Sequence, residues 1–198
     1  IYIADSTSGM DTIADCEIIV ESNYSNAGGI AGTNAGEIKG VVDKNTKELL
    51  SVVNGKISMD RANVASIGGI AGLNTGIIHD VAVDSAVQGN LGSIKNGYGG
   101  IAGYSGFVSK KQLQEEQKDN AVEYPAVIQN CSFDGVINAI GSSGAPARVG
   151  GIAGINGYGS LIEDCYIGSR KGGIDGNVSS ESQVTYVTAG DYINKNHE

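Results

Sequence analysis

The chain has 198 residues, of which 40% are hydrophobic, enough for a folded domain with a buried core. Its formal net charge of -9 disfavours binding to nucleic acid or to anionic membranes, because both require clustered Lys and Arg. The 31 glycines come with only 2 prolines and no period of three, which excludes a collagen-like fibre. No apolar stretch approaches the roughly 20 residues that cross a bilayer, so we expect no membrane insertion.

A Gly-Gly-Ile-Ala-Gly pentapeptide recurs along the chain with unequal spacing. This pattern is typical of repeat proteins, in which each unit is a small supersecondary element and the connecting loops vary in length. We expect each pentapeptide to end one of two short strands per unit, with its Ile and Ala stacked on the equivalent residues of the next unit in ladders that face inward. Glycine would allow tight corners and close packing of backbones. The four copies begin at Gly28, Gly68, Gly99 and Gly150.

An Asn follows each pentapeptide by two residues in three of the four copies, at Asn34, Asn74 and Asn156, and Ser105 replaces it in the other. Asn tolerates the left-handed conformation and bonds to nearby backbone, so it favours a turn at this position. We therefore interpret the row of Asn residues as a structural ladder at a corner and not as a set of ligands.

A second signature follows, an Ile with Cys or Val three residues later, which we interpret as the other strand of each unit. The last position of this signature holds either Cys or Val. Because Val cannot perform thiolate chemistry, what the two residues share at this position is a small buried apolar side chain. Cys131 and Cys165 belong to successive units, and whether they form a disulfide depends on geometry that stacking alone does not guarantee. The expected ladder contains Cys16, Val41, Val81, Cys131 and Cys165.

Two insertions interrupt the repeats. The longer one spans about 107–127 and is rich in good helix formers, so it predicts a short helix on the surface. A smaller one lies around 44–50, and residues 168–198 read as a degenerate repeat that caps the stack. The predicted fold is all-β: a single domain over 1–198 whose repeats, at about 13–167, form a β-helix-like β-solenoid with one short helical insertion.

The combination of these motifs resembles the GLUG-motif repeats of bacterial secreted and cell-surface proteins. The resemblance covers roughly Ile13 to Ile167 and departs from the pattern where Val41 and Val81 replace Cys. Such repeats occur in zinc metallopeptidases that cleave immunoglobulin A and in adhesins similar to filamentous haemagglutinin. The resemblance implies an extracellular stalk, at a bacterial cell surface or secreted, and supplies no catalytic residue.

The sequence offers few candidates for chemistry. A zinc peptidase needs His-Glu-x-x-His, but the chain has only His79 and His197, and neither is followed by that pattern. We expect His79 to face solvent. The recurring Asp15, Asp80 and Asp164 could bind calcium or act as a glycosidase pair, but we favour Asp residues that are solvated or cap the backbone. We therefore predict no catalytic residue, no cofactor and no metal site.

A candidate partner surface is formed by aromatic and basic residues near the long insertion: Tyr98, Tyr104, Tyr158, Lys110 and Lys111. The favoured function is a non-catalytic stalk module that contacts a host glycoprotein, a glycan or adjoining domains of the same chain. One alternative is an accessory region that presents substrate to an immunoglobulin A-type zinc metallopeptidase. A second is a polysaccharide-active β-helix enzyme.

Overall fold

The computed structural model describes residues 1, 13–21, 24–62, 64–91, 97–120, 123–141 and 148–167. Most of these residues lie in strands, and the one helix among them lies within the predicted long insertion, which confirms the all-β prediction. The proposed capping repeat at 168–198 lies outside the described residues. In chain order the elements are β1 Ile13–Val20, β2 Tyr24–Gly28, β3 Ala31–Asn34, β4 Glu37–Lys39, β5 Val52–Ala62, β6 Val64–Gly68, β7 Ala71–Asn74, β8 Ile77–His79, β9 Ala82–Leu91, β10 Gly97–Gly99, β11 Ala102–Ser105, α1 Lys110–Asn120, β12 Ala126–Gln129, β13 Ser132–Phe133, β14 Val136–Gly141, β15 Arg148–Gly150, β16 Ala153–Asn156, β17 Ser160–Glu163 and β18 Tyr166–Ile167.

The described strands form four sheets, and paired strands within each sheet run parallel. Sheet 1 contains β1, β5, β9, β13, β14 and β18; sheet 2 contains β2, β6, β10 and β15; sheet 3 contains β3, β7, β11 and β16; sheet 4 contains β4, β8, β12 and β17. Sheets 2, 3 and 4 therefore take one strand from each of four successive chain segments, and sheet 1 takes strands from the same four segments and, in addition, β1. We name these segments repeat 1 (β2–β5), repeat 2 (β6–β9), repeat 3 (β10–β14) and repeat 4 (β15–β18).

The expectation of two strands in each repeat was wrong, because each repeat contributes to all four sheets. The strands of sheets 3 and 4 are only three or four residues long. Such a strand contains at most two residues on each face, so alternation of apolar and polar residues gives little signal in the sequence.

The pentapeptides form the predicted inward ladders. Their Ala residues pair in register from Ala31 through Ala71 and Ala102 to Ala153. The preceding Ile residues stack at the corner between sheets 2 and 3, where Ile70 donates its backbone N–H to the Ile101 carbonyl at 3.0 Å. The Ile and Ala side chains of repeats 2 to 4 are buried, whereas those of repeat 1 are half-buried.

Glycine is required in the pentapeptides mainly by close approach of neighbouring repeats. A Cβ on Gly69 would lie closer than 3.0 Å to the carbonyl oxygen of Gly100 in the next repeat. Positive φ is a smaller factor, since Gly106 and Gly159 are the only glycines in the described ranges that have it. The left-handed positions expected at the Asn residues lie instead at Asp80, Asn130 and Asp164, directly after the strands of sheet 4.

Asn34, Asn74 and Ser105 of the predicted ladder are buried and link successive repeats through their side chains, whereas Asn156 is half-buried. Asn34 Nδ2 donates to Asn74 Oδ1 at 2.8 Å, and Asn74 Nδ2 donates to the Ser105 hydroxyl at 3.4 Å. Ser160 then donates to Ser105 at 2.8 Å. Asn74 Nδ2 also donates a hydrogen bond to the Val127 carbonyl at 3.3 Å. The ladder is structural, as predicted, but it stabilises the interior and not a left-handed turn.

The predicted Cys and Val ladder is correct only in part. Val81, Cys131 and Cys165 are buried, and both thiols are free. The backbone of Cys16 pairs with Gly55 of β5, a different register. Val41 begins the loop 41–50, which is closed by a bridge between Val42 and Leu49. Because Val52 pairs with Ala82, the residue of repeat 1 that is equivalent to Val81 is Ser51. The insertion therefore lengthened the spacing and separated Val41 from the ladder.

Candidate functional site

The long insertion leaves sheet 3 after β11 and returns to sheet 4 at β12. Gly106, with φ of 100°, turns the chain, and Phe107 then pairs with Tyr158 through backbone hydrogen bonds of 2.8 and 3.0 Å. This pairing fastens the start of the insertion to repeat 4. The hydroxyl of Ser109 accepts a bond from the Gln112 backbone N–H at 3.3 Å, which caps the N-terminus of α1.

Helix α1 lies on the surface with little apolar contact. Most of its side chains are exposed, and Leu113 is half-buried. Leu113 approaches Gly159, where a Cβ would collide with the Leu113 Cδ1 and would lie 3.3 Å from Pro125 Cδ. One apolar side chain and the strand-like pairing of Phe107 therefore hold the insertion against the sheets.

Three of the predicted surface residues meet at the start of the insertion. Tyr104 is half-buried, its hydroxyl donates to the Phe107 carbonyl at 3.1 Å, and burial raises the pKa of its phenol. The Lys110 ammonium lies 5.9 Å from the centre of the Tyr158 ring, a cation–π contact. Lys111 is exposed and lies away from them, 4.0 Å from Glu115.

Tyr98 was wrongly assigned to the partner surface. It is fully buried in β10, between Ile67 and Val149 of the neighbouring strands of sheet 2. Its ring contacts β9 at Gly89, where the Cβ of any other residue would collide with the ring. Within the described part of the chain its hydroxyl has no hydrogen-bond partner, and desolvation raises the pKa of this phenol. The ring is core packing.

An open cleft of about 430 Å³ separates α1 from the outer face of sheet 3. Its sheet side carries Leu73, which belongs to an outward row with Thr33, Tyr104 and Ile155. The sequence analysis did not predict this cleft. The row of outward residues, which stand at equivalent positions after each pentapeptide, gives a signal only for the sheet wall of the cleft. The residues that line it are Leu73, Thr75, Gly106, Phe107, Val108, Gln112, Glu115 and Glu116.

The two walls of the cleft differ in chemistry. The sheet and the start of the insertion provide Leu73, Phe107 and Val108, and Val108 is 69% exposed. The helix wall provides Gln112, Glu115 and Glu116, which share one face because they lie three and four residues apart. An apolar wall thus faces an acidic one.

The expectation that His79 faces solvent was wrong, because its side chain is only 23% exposed. Its Nδ1 lies 2.8 Å from Asp80 Oδ2 and its Nε2 lies 3.1 Å from Glu37 Oε1, and the imidazole lowers the pKa of Glu37. Asp80 also accepts a bond from Asn130 Nδ2 at 2.6 Å. These contacts connect repeats 1, 2 and 3, so Asp80 has a structural use.

Among the described residues, no group of three or more His, Cys, Asp or Glu side chains is arranged so that it could hold a metal ion. The described helix is too short and polar to cross a membrane. No protein-family model matches the chain, and neither a curated protein nor a solved structure is similar enough to be matched to it. The resemblance to GLUG-motif repeats therefore stays a prediction.

Proposed function

We propose that the chain is a β-solenoid segment, a non-catalytic repeat module that extends a bacterial surface or secreted protein and uses its long insertion for contact. One observation carries the proposal: each successive repeat adds strands to the same four sheets, and equivalent residues stack in register. A protein built this way grows along one axis, by about 4.8 Å for each repeat.

The outer edge of repeat 1 supports the same proposal. Among the described strands β4 is the edge strand of sheet 4, and its Lys39 N–H donates to the carbonyl of Ile1, a residue outside the sheet, at 3.0 Å. Backbone groups of this edge can therefore bond chain outside the sheet, which suits a module that continues a stack.

The GLUG-like pattern supports an extracellular location and a bacterial source. Contact with a host glycoprotein or glycan is assigned to the insertion, because it is the described segment that departs furthest from the repeat. The cleft beside α1 also favours a second candidate, an accessory region that presents substrate to a peptidase of the immunoglobulin A type. The polysaccharide-active enzyme gains no support from Asp80, since both of its carboxylate oxygens bond to neighbouring side chains, His79 and Asn130.

A repeat-extension experiment tests the solenoid. Three extra copies of residues 64–96, placed after residue 96, should fold and lengthen the particle by about 14 Å along one axis. Small-angle scattering measures the maximum dimension, and far-UV circular dichroism measures strand content per residue. The matched control carries a Gly/Ser linker of equal length at the same place, which adds mass without strands. Loss of strand signal, or a particle that widens without lengthening, would contradict the proposal.

A further inference from the structure

We propose that the cleft between α1 and sheet 3 binds a partner protein through a peptide segment that carries Arg or Lys. This inference rests on the contact role proposed for the insertion, and it adds the chemical class of the ligand. Its basis is the opposition of an apolar wall and an acidic wall across one open cleft.

The helix wall is unusual for a helix that lies beside a sheet. Such a helix normally turns an apolar stripe toward the sheet and closes the gap. Here the face toward Leu73 and Phe107 carries Gln112, Glu115 and Glu116, and a space of about 430 Å³ is left. Carboxylates cannot close onto an apolar surface without losing hydration, so the gap is a property of the sequence.

An Arg or Lys side chain fits both walls at once. Its methylene stem packs on apolar surface while its charged head reaches polar surroundings. In this cleft the stem would lie on Leu73, Phe107 and Val108, and the head would meet Glu115 and Glu116. Arg suits the site better than Lys, because its planar guanidinium can bond a carboxylate through two N–H groups.

The ion pair between Lys111 and Glu115 does not compete strongly for Glu115. Lys111 Nζ lies 4.0 Å from Glu115 Oε1, and their side chains are 85% and 57% exposed. Exposed pairs of this kind contribute little. A cation within the cleft would lie near two carboxylates, those of Glu115 and Glu116, instead of the single one that Lys111 pairs with.

Size and net charge favour a short basic segment of a different protein. The cleft volume lies within the range of about 300–1,000 Å³ that is typical of ligand sites, which suits a few side chains better than a broad globular surface. The net charge of -9 attracts a cationic partner and disfavours a second copy of this chain.

The test uses a fluorescein-labelled peptide in which Leu and Arg alternate. Fluorescence anisotropy measures its binding to the full chain. A second peptide replaces each Arg by citrulline, which keeps the shape and removes the charge. The Arg peptide should bind at least about tenfold more tightly than the citrulline peptide, the factor expected for one charge-assisted hydrogen bond. Raising the salt concentration should weaken only the Arg peptide.

Protein variants locate the site. Glu115→Gln with Glu116→Gln should weaken the Arg peptide about tenfold or more, whereas the charge-matched control Glu21→Gln with Glu48→Gln should leave it unchanged. Val108→Ser should weaken both peptides, because it removes exposed apolar surface from the cleft. All substituted side chains are exposed, so circular dichroism should show a folded protein in each case.

Several outcomes would overturn the inference. They are equal binding of both peptides, unchanged binding in the Glu115 and Glu116 variant, or no saturable binding of the Arg peptide. Sedimentation that shows self-association of the parent chain, lost in the same variant, would assign the cleft to a second copy instead. None of these results bears on the repeat-extension experiment, so failure of the cleft and failure of the solenoid are separable.

Discussion

Replacement of Asn74 by Ala removes the centre of the buried ladder that connects repeats 1, 2 and 3. Asn74 is fully buried and makes three side-chain hydrogen bonds. It accepts one from Asn34 at 2.8 Å and donates to Ser105 at 3.4 Å and to the Val127 carbonyl at 3.3 Å. The change therefore tests whether polar stacking inside the sheets contributes to folding stability.

The magnitude follows from those three bonds. A hydrogen bond contributes about 1 kcal/mol net, and a buried group that loses its partner costs about 1–3 kcal/mol. The two longer bonds count for less, whereas Asn34 keeps its bond to the Ile77 carbonyl at 3.1 Å. We expect Asn74→Ala to lower the free energy of unfolding by about 2–3 kcal/mol.

Urea denaturation followed by circular dichroism gives this free energy from the transition midpoint and slope. Asn74→Ser should cost less than Asn74→Ala, because Ser105 shows that a hydroxyl serves at the equivalent position in repeat 3. Asn26→Ala is the control, since Asn26 is exposed and makes one weak bond of 3.4 Å to Thr33. A loss below about 0.5 kcal/mol in Asn74→Ala, or an equal loss in Asn26→Ala, would refute the reasoning.

Four further predictions concern packing and titration. Tyr98→Phe should raise the thermal midpoint or leave it unchanged, because it deletes a buried hydroxyl without a partner among the described residues, whereas Tyr98→Ala should cost about 3–5 kcal/mol in urea denaturation. Ala102→Leu should destabilise by about 1–3 kcal/mol, as Ala102 is buried between paired Ala residues; unchanged stability would contradict the inward ladder. Cys131→Val should cost less than about 1.5 kcal/mol by the same measurement, because Val fills the equivalent position at Val81, and a larger loss would show that the thiol itself is needed. The pKa of Glu37 is lowered chiefly by its hydrogen bond to His79, so the stabilising effect of the ionised Glu37 is present above the ordinary pKa of 4.5 and is lost as the pH falls through the lowered pKa. Glu37→Gln should therefore reduce the fall of the urea midpoint on acidification. An identical pH profile in the variant and the parent chain would exclude this contribution.

Much of the ladder architecture was predictable because the same residues recur at equivalent positions. Ala71 and Ala102 stand in identical pentapeptides, and the structure pairs them directly. Helix α1 was predictable for a local reason, since Lys, Gln and Glu dominate a segment that the other repeats lack. In both cases the information lies in the local sequence.

The failures occurred where position depends on partners far along the chain. Tyr98 reads as a surface aromatic in its own segment, but the space for its ring is made by Gly89 of β9. Cys16 matches the second signature, yet its strand pairs in another register, Cys16 with Gly55. The cleft was missed for the same reason, because Leu73 and Glu115 come from different repeats and meet only through the path of the insertion.

Both insertions occur at corners, and this placement explains how a contact site could be added without disturbing the stack. The loop 41–50 enters between sheets 4 and 1, yet Val52 still pairs with Ala82. The segment with α1 enters between sheets 3 and 4, yet Ser105 pairs with Asn156 before it and Ile128 pairs with Ile162 after it. Register is fixed by the buried residues of each strand, so a corner tolerates extra length at a small cost in loop entropy. The acidic face of α1, which we propose as part of a contact site, can therefore vary while the ladders that support it stay the same.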